Sequence, residues 1–203
     1  MLKVLNLYAG IGGNRKYWKD VNVTAIEINP KIAKIYKDFF PNDNVIVTDA
    51  HEYLLKHIEE YDFIWSSPPC PTHSKLVKCY TKVNNFLVYP DMSLYQEILL
   101  LDNFFKGKYC VENVKSYYNP LVKPQELGGH YYWANFHIGK MPYSNNREHD
   151  SGLQVLSEFK GFNLDKYHNI DKVKTLRNCV EPEHAKHILK CAFKLKQESL
   201  IYA

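Results

Sequence analysis

The amino-acid sequence predicts an α/β fold, with a doubly wound, mostly parallel Rossmann-like sheet and a small irregular accessory lobe. In the first half, short apolar runs alternate with amphipathic segments, which is typical of parallel strands joined by crossover helices. Polar residues follow successive runs, where the carboxyl ends of such strands form a ligand crevice. The 203 residues, 45% of them hydrophobic, suffice for one sizeable core and are few for two full domains.

Each predicted element rests on a local pattern. Short apolar runs predict strands over 4–8, 23–28, 45–48, 63–65, 109–111 and 131–138. Amphipathic segments predict helices over 14–19, 30–39, 52–59, 94–105 and 182–197. Pro30 opens the second of these helices, because proline is tolerated in a first helical turn.

The same patterns set the expected domain organisation. Residues 1–138 are predicted to form the core. Residues 139–176 are polar, rich in Asn, Lys and Tyr, and without a long periodic pattern, so they are predicted to form the accessory lobe. Residues 177–203 are expected to contain a segment and a helix that pack back on the core.

Composition narrows the class of protein. The net charge of +4 permits nucleic-acid binding without requiring it. The five cysteines stand at scattered spacings, which favours free thiols in a reducing compartment over a disulfide framework or a metal site. No apolar run approaches the length of a membrane span or a secretory signal, so we expect a soluble cytoplasmic protein.

A glycine-rich turn and two acids follow the first three predicted strands. The first strand runs into Tyr8-Ala9-Gly10-Ile11-Gly12-Gly13, where glycine lets the backbone turn tightly and approach a ligand. Glu27 ends the second strand and can accept ribose hydroxyls, and Asp49 follows the third and can accept from an adenine amine. Either acid alone is better interpreted as a helix cap or a solvated loop residue, but the three features together favour a nucleoside cofactor.

A thiol and a further acid follow the next two predicted strands. Prolines on both sides of Cys70, in Ser67-Pro68-Pro69-Cys70-Pro71, fix the backbone and present the thiol on a rigid loop. A buried, inert cysteine is the alternative, and it fits Cys110 and Cys191 better. Glu112 directly follows an apolar strand, so its carboxyl group can be partly desolvated and donate a proton; a capping role is the alternative.

This ordered set resembles the motif series of cytosine-C5 DNA methyltransferases. The Pro69-Cys70 pair followed by Glu112-Asn113-Val114 is its most specific part. The strand from His130 to Phe136 is similar to the aromatic strand of the family's later arginine motif, and Asn178-Cys179-Val180 is similar to its closing motif. Residues 139–175 are the main stretch without a match.

The resemblance implies an S-adenosyl-L-methionine (AdoMet)-dependent enzyme that acts on double-stranded DNA, in a bacterial or phage-infected cell and in a restriction-modification setting. It makes Cys70 the nucleophile that adds to C6 of a flipped-out cytosine, and Glu112 the acid that contacts N3. It assigns the cofactor to Tyr8, Ala9, Gly10, Ile11, Gly12, Gly13, Glu27, Ile28, Asp49, Ala50, Pro69, Leu94, Asn178, Cys179 and Val180. It assigns the substrate to Ser67, Pro68, His73, Ser74, Lys75, Asn113, Val114, His130 and Arg147.

The departures from the family pattern concern DNA recognition. Pro71 stands where family members have glutamine, and His130 stands where they have an arginine, which leaves Arg147 or a protonated His130 as substitutes. The segment that normally reads DNA is very short, so we expect a short or loosely read site, or help from a homodimer or partner subunit. Lysines at 75, 78 and 82 would share a helical face suited to phosphates, or equally a solvated face.

Other functions stay open at this stage. The same thiol and acid chemistry works on RNA cytosines, and a modified AdoMet could supply a group other than methyl. A degenerate paralogue that binds AdoMet or DNA without turnover would suit the missing arginine, although the retained Cys70 and Glu112 oppose it. An amino-methyltransferase is disfavoured, because those enzymes present an aromatic residue where this chain presents a thiol.

Overall fold

The fold is known from a computed structural model, which describes residues 1–77, 87–141 and 152–193. A seven-stranded sheet in the order β3-β2-β1-β4-β5-β7-β6 forms its centre. β1 to β5 pair in parallel, whereas β7 is antiparallel to β5 and to β6. The strands are β1 (Leu2–Leu7), β2 (Val21–Ile26), β3 (Asn44–Ile46), β4 (Phe63–Ser66), β5 (Lys108–Val114), β6 (Gln125–Leu127) and β7 (His130–Ala134).

Helices cover both faces of the sheet, which confirms the doubly wound α/β prediction. They are α1 (Pro30–Phe39), α2 (Ala50–His57), α3 (Ser93–Phe104), α4 (Leu153–Lys160), α5 (Lys172–Arg177) and α6 (Pro182–Phe193). Neighbouring residues of β1 point to opposite faces: Val4 packs in a cluster with residues of α1 and α6, and Leu5 packs with residues of α2 and α3. Because both faces are covered, the inner strands read as continuous apolar runs.

The prediction of a helix over residues 14–19 is wrong, because residues 13–17 form consecutive turns. Side-chain contacts fix this path. The buried Asn14 and Asn6 amides exchange hydrogen bonds of 2.6 and 3.1 Å, and the Arg15 side chain donates to Trp18 O at 2.7 Å. The Asn14 Oδ1 also accepts from Arg15 N at 2.9 Å, and a local side-chain bond to the backbone of this kind competes with helix formation. The glycine turn is therefore followed by further turns, without the helix N-terminus that the sequence suggested.

The segment expected to be irregular contains two short helices, α4 and α5. They pack on the outer side of α1, where a third apolar cluster joins Leu156 and Phe162 to Ile35 of α1 and Ile11 of the glycine turn. The β6 strand was likewise not predicted. Residues 142–151, with Asn145, Asn146 and Arg147, lie outside the described residues, as do Lys78, Lys82 and the end of the helix predicted to reach 197.

None of the helices in the described ranges is long and apolar enough to cross a membrane.

Candidate active site

A cavity of about 680 Å³ opens at the carboxyl ends of the parallel strands. Its wall includes the glycine turn, Glu27, the proline-rich loop with Cys70, and Glu112 at the end of β5. Lys160 of α4 and ten residues between Asn169 and Glu181 complete the wall on the side of α5 and of the segment that precedes α6. A volume of this size is typical of a small-molecule site.

The glycine turn has a backbone that most side chains would not allow. Gly10 and Gly12 have φ angles of 55° and 88°, and Tyr8 has a φ of 54°. A Cβ on Gly13 would lie 2.3 Å from Val180 O, so the chain segment before α6 packs directly against this turn. The absence of a side chain at Gly13 therefore permits the closing segment to form part of the cavity.

Glu27 is tied to the same turn. Its Oε2 accepts from Gly10 N at 3.0 Å, and its Oε1 accepts from Asn29 N at 2.9 Å. Asn29 in turn caps α1, because its Oδ1 accepts from Lys31 N at 3.0 Å. The carboxylate thus lies at the cavity wall in a fixed orientation, with acceptor capacity left on both oxygens for hydroxyl donors.

Cys70 lies at the start of a tight turn and is half-buried. His73 N and Ser74 N donate to Cys70 O at 3.0 and 3.2 Å, which fixes the backbone that carries the thiol. Burial, and then the negative charge of Glu112, raise the pKa of the Cys70 thiol above its ordinary value. The thiol is therefore protonated at neutral pH in the free protein, and the two groups act on each other across the cavity.

Glu112 and its neighbours link the strand to the nucleophile loop. The Glu112 side chain is 12% exposed, and its Oε1 lies 3.7 Å from His130 Nε2. The next residue, Asn113, is buried, and its Nδ2 donates to Pro68 O at 3.0 Å. This bond joins the end of β5 to the proline-rich loop and fixes the position of Glu112 relative to Cys70.

Most of the residues proposed from the sequence line this one cavity. Those that do are Tyr8, Ala9, Gly10, Ile11, Gly13, Glu27, Ser67, Pro68, Pro69, Cys70, Glu112, Asn113, Val114, His130, Asn178, Cys179 and Val180. The described residues Gly12, Ile28, Asp49, Ala50, Leu94, His73, Ser74 and Lys75 are outside its lining. Arg147 lies outside the described residues.

Several of the predicted site residues that lie outside the cavity lining have local structural roles. Asp49 caps α2, with Oδ1 accepting from Glu52 N at 2.9 Å, while Leu94 packs in the core. His73 is buried, and its Nδ1 lies 2.6 Å from Tyr118 OH; burial lowers its pKa. His73 thereby ties the turn after Cys70 to the loop after β5.

Sequence reasoning missed Glu97, a buried acid of α3. Its Oε1 accepts from the Ser66 hydroxyl, its Oε2 accepts from Tyr8 OH at 3.1 Å, and His51 Nδ1 lies 3.6 Å from Oε2. Burial raises the pKa of Glu97. Glu97 therefore joins the glycine turn to the strand that leads to Cys70. In the sequence it is one polar residue in an amphipathic helix, with no signal of its own.

Comparisons with known proteins identify the family. A family model described as C-5 cytosine-specific DNA methylase matches residues 2–119. The chain belongs to this family. Membership implies AdoMet as the cofactor, and it confirms the resemblance carried by Pro69-Cys70 and Glu112-Asn113-Val114.

The chain is also similar to two curated proteins and to a solved structure. A tRNA (cytosine(38)-C(5))-methyltransferase of Spodoptera frugiperda is 30% identical over 133 residues, covering 60% of this chain and 38% of that protein. Its Homo sapiens counterpart is 26% identical over 117 residues, covering 50% of this chain and 30% of that protein. The chain thus spans less than two fifths of the length of these relatives. An Entamoeba histolytica methyltransferase structure shares the fold, with a TM-score of 0.52 at 12% identity, covering 96% of this chain and 98% of that one.

Proposed function

We propose that the chain transfers a methyl group from AdoMet to C5 of a flipped-out cytosine in double-stranded DNA, with Cys70 as the nucleophile and Glu112 as the acid. The observation that carries the proposal is the convergence of Cys70, Glu112 and the Glu27-bound glycine turn on one cavity. The same pair of side chains in separate pockets would give no such chemistry.

The cavity fits AdoMet on the chemistry of its wall. Glu27 offers acceptors to the ribose hydroxyls, and the glycine turn leaves its wall free of side chains: a Cβ built on Gly10 meets nothing within 4 Å. Pro69 and the segment from Asn178 to Val180 add apolar and amide surface. When bound, AdoMet supplies an electrophilic methyl group on a sulfonium sulfur.

Cys70 and Glu112 would activate the cytosine. The Cys70 thiol gives up its proton to the Glu112 carboxylate and its sulfur forms a bond to C6, while Glu112 passes that proton to N3, so that electron density moves to C5. C5 then accepts the methyl group; the C5 proton is lost to water, the N3 proton returns to Glu112, and the ring expels the Cys70 thiolate. The raised pKa of Cys70 lowers the fraction of the side chain that is thiolate at neutral pH. Substrate binding must therefore help to deprotonate the thiol. Removing the base from the duplex costs roughly a few kcal/mol.

His130 is the described residue best placed to replace the family's missing arginine. Its Nε2 lies 3.7 Å from Glu112 Oε1, and both side chains line the cavity. A protonated imidazole there would orient the Glu112 carboxyl group and could reach the cytosine carbonyl. Arg147, the other candidate, lies outside the described residues.

Residues 139–176 remain the segment that we propose for DNA recognition, but with part of the segment in another role. The described part of this segment packs on α1 through Leu156 and Leu164, and Asn169, Asp171 and Lys174 line the cavity. Part of the described segment thus lines the cavity or packs on α1, and those residues are not available for reading bases. We therefore expect a short or loosely read target, or a second subunit that supplies recognition.

RNA is the second candidate substrate, because the curated relatives are named for methylation of a tRNA cytosine. Transfer of labelled methyl from AdoMet to random-sequence duplex DNA and to total tRNA, with nucleoside mass spectrometry, separates the two. The proposal predicts 5-methylcytosine in DNA, lost with Cys70→Ser. 5-Methylcytosine in tRNA alone would make the chain an RNA enzyme, a group heavier than methyl would indicate a modified cofactor, and no product on either would favour a binding module.

A further inference from the structure

A buried pair of opposite charges lines the cavity on the side of α4 and α6. Lys160 is the last residue of α4, Glu181 directly precedes α6, and Lys160 Nζ lies 3.5 Å from Glu181 Oε2. The residues are 3% and 9% exposed, and both are part of the cavity wall. The mechanism above uses neither of them.

Burial alone does not show that this pair is there for stability. Removing two charges from water is unfavourable, and the attraction between them repays that loss only with excellent geometry and further hydrogen bonds. At 3.5 Å the contact is longer than the 2.7–2.9 Å of a strong charge-assisted hydrogen bond. Two opposite charges held at the wall of a cavity instead suit a ligand group that carries both charges itself.

The pair lies beside the second half of the glycine turn. Glu181 follows Val180. A Cβ built on Gly13 would lie only 2.3 Å from the carbonyl oxygen of Val180, so this segment is in contact with the turn. Lys16 lies shortly after that turn, and its Nζ donates a hydrogen bond to the Lys160 carbonyl oxygen at 2.9 Å. Glu27 binds the first glycine of the turn, at Gly10. The turn therefore has a hydroxyl-binding acid at one end and a buried ion pair at the other.

We infer that Lys160 and Glu181 form the subsite for the amino-acid group of AdoMet, with the Lys160 ammonium pairing with the carboxylate and the Glu181 carboxylate pairing with the α-ammonium. This inference rests on the cofactor assignment in the proposed function. The amino-acid group carries one positive and one negative charge. When it binds, each of the two buried side-chain charges therefore still has a group of opposite charge beside it. The short accessory segment thereby serves the cofactor, through the last residue of α4.

Calorimetric binding to the full chain tests the inference without turnover. Two ligands are compared, S-adenosylhomocysteine and 5′-methylthioadenosine, which share the nucleoside and differ in the amino-acid group. For Lys160→Met and Glu181→Gln we expect affinity for S-adenosylhomocysteine to fall about 10- to 100-fold, the loss of one hydrogen bond to a charged group. Affinity for 5′-methylthioadenosine should stay within about twofold of the wild type.

Lys186→Met is the matched control, since Lys186 forms an exposed pair with Glu183, at 3.4 Å, outside the cavity. Equal losses for both ligands, or no loss for either, would overturn the inference. Should the two variants fail to fold, the wild type still decides: an S-adenosylhomocysteine analogue without the carboxylate must bind about 10-fold or more weakly, and equal binding refutes the subsite. Selective binding without methyl transfer would support the subsite while the proposed function fails.

Discussion

The Cys70 thiol lies where burial and a neighbouring carboxylate both oppose its ionisation. Burial is the larger cause of its raised pKa, and the charge of Glu112 adds to it. The acid that the proposed chemistry requires thus also helps, together with burial, to keep the nucleophile protonated. A thiol restrained in this way is protected from oxidation and alkylation until a substrate changes its surroundings.

Removing the Glu112 charge should therefore make Cys70 more reactive. With Glu112→Gln, the pKa of Cys70 falls, so its pH profile of alkylation by iodoacetamide shifts to lower pH and alkylation at pH about 7.5 is faster. The pKa stays above its ordinary value, because burial remains. Mass spectrometry of the Cys70 peptide measures the rates, with Glu126→Gln, at a surface pair with Lys115, as the control. Slower alkylation, or a pH profile that does not shift, would contradict an electrostatic effect of Glu112 on the Cys70 thiol.

At this scale the sequence predicts the site well where a motif fixes the backbone. Cys70 between prolines and Glu112 at a strand end both reach the cavity, as does Glu27. Asp49 shows the limit, since an acid that opens a helix looks the same in sequence whether it caps the helix or meets a ligand. Lys160 and Glu181 have no sequence signal, because their meeting depends on how α4 and α6 pack.

At the scale of elements, α3 connects two loops that carry the proposed chemistry. Glu97 on this helix binds Tyr8 of the glycine turn and Ser66 at the end of β4. Tyr8 of this network lines the cavity, and the network holds the cofactor turn and the nucleophile loop in a fixed relation. Five residues further on, Asp102 accepts from Tyr109 OH at 2.9 Å, away from the cavity.

These two carboxylates on one helix allow a matched test. Glu97→Leu leaves the Tyr8 and Ser66 hydroxyls without their acceptor, so it should destabilise the fold by about 1–3 kcal/mol and weaken AdoMet binding. Asp102→Leu removes one hydroxyl–carboxylate bond at an exposed position and should lower the unfolding free energy by a smaller amount without changing AdoMet affinity. Urea unfolding and calorimetry measure the two effects. Unchanged AdoMet affinity in Glu97→Leu would make the network purely structural.

The elements themselves were predictable where tertiary structure agrees with local pattern. The inner strands are apolar runs and α1 begins at its proline, as the sequence indicates. The turns over 13–17 were not predictable, because Asn6, Asp43 and Ala185 from distant parts of the chain fix them. The α4 and α5 helices are short, and their burial against α1 supplies the stability that their length does not.

At the scale of the molecule, the order of the strands brings the three main parts of the proposed site together. β1, β4 and β5 lie side by side in the middle of the sheet, so the glycine turn, the Cys70 loop and Glu112 emerge next to one another. Sequence pattern alone does not give that order, which comes from the structure. The antiparallel β7 then brings His130 opposite Val114, beside the acid.

The central claim is that the Cys70 sulfur bonds to a cytosine in this cavity, and covalent trapping tests it most directly. A 5-fluorocytosine cannot lose a proton at C5, so incubation of the chain with AdoMet and a duplex carrying it should leave the protein attached to the DNA. We predict a complex that survives denaturation, is lost with Cys70→Ser and persists with Cys191→Ser. A complex that persists with Cys70→Ser, or none on DNA or RNA of varied sequence, would contradict the account.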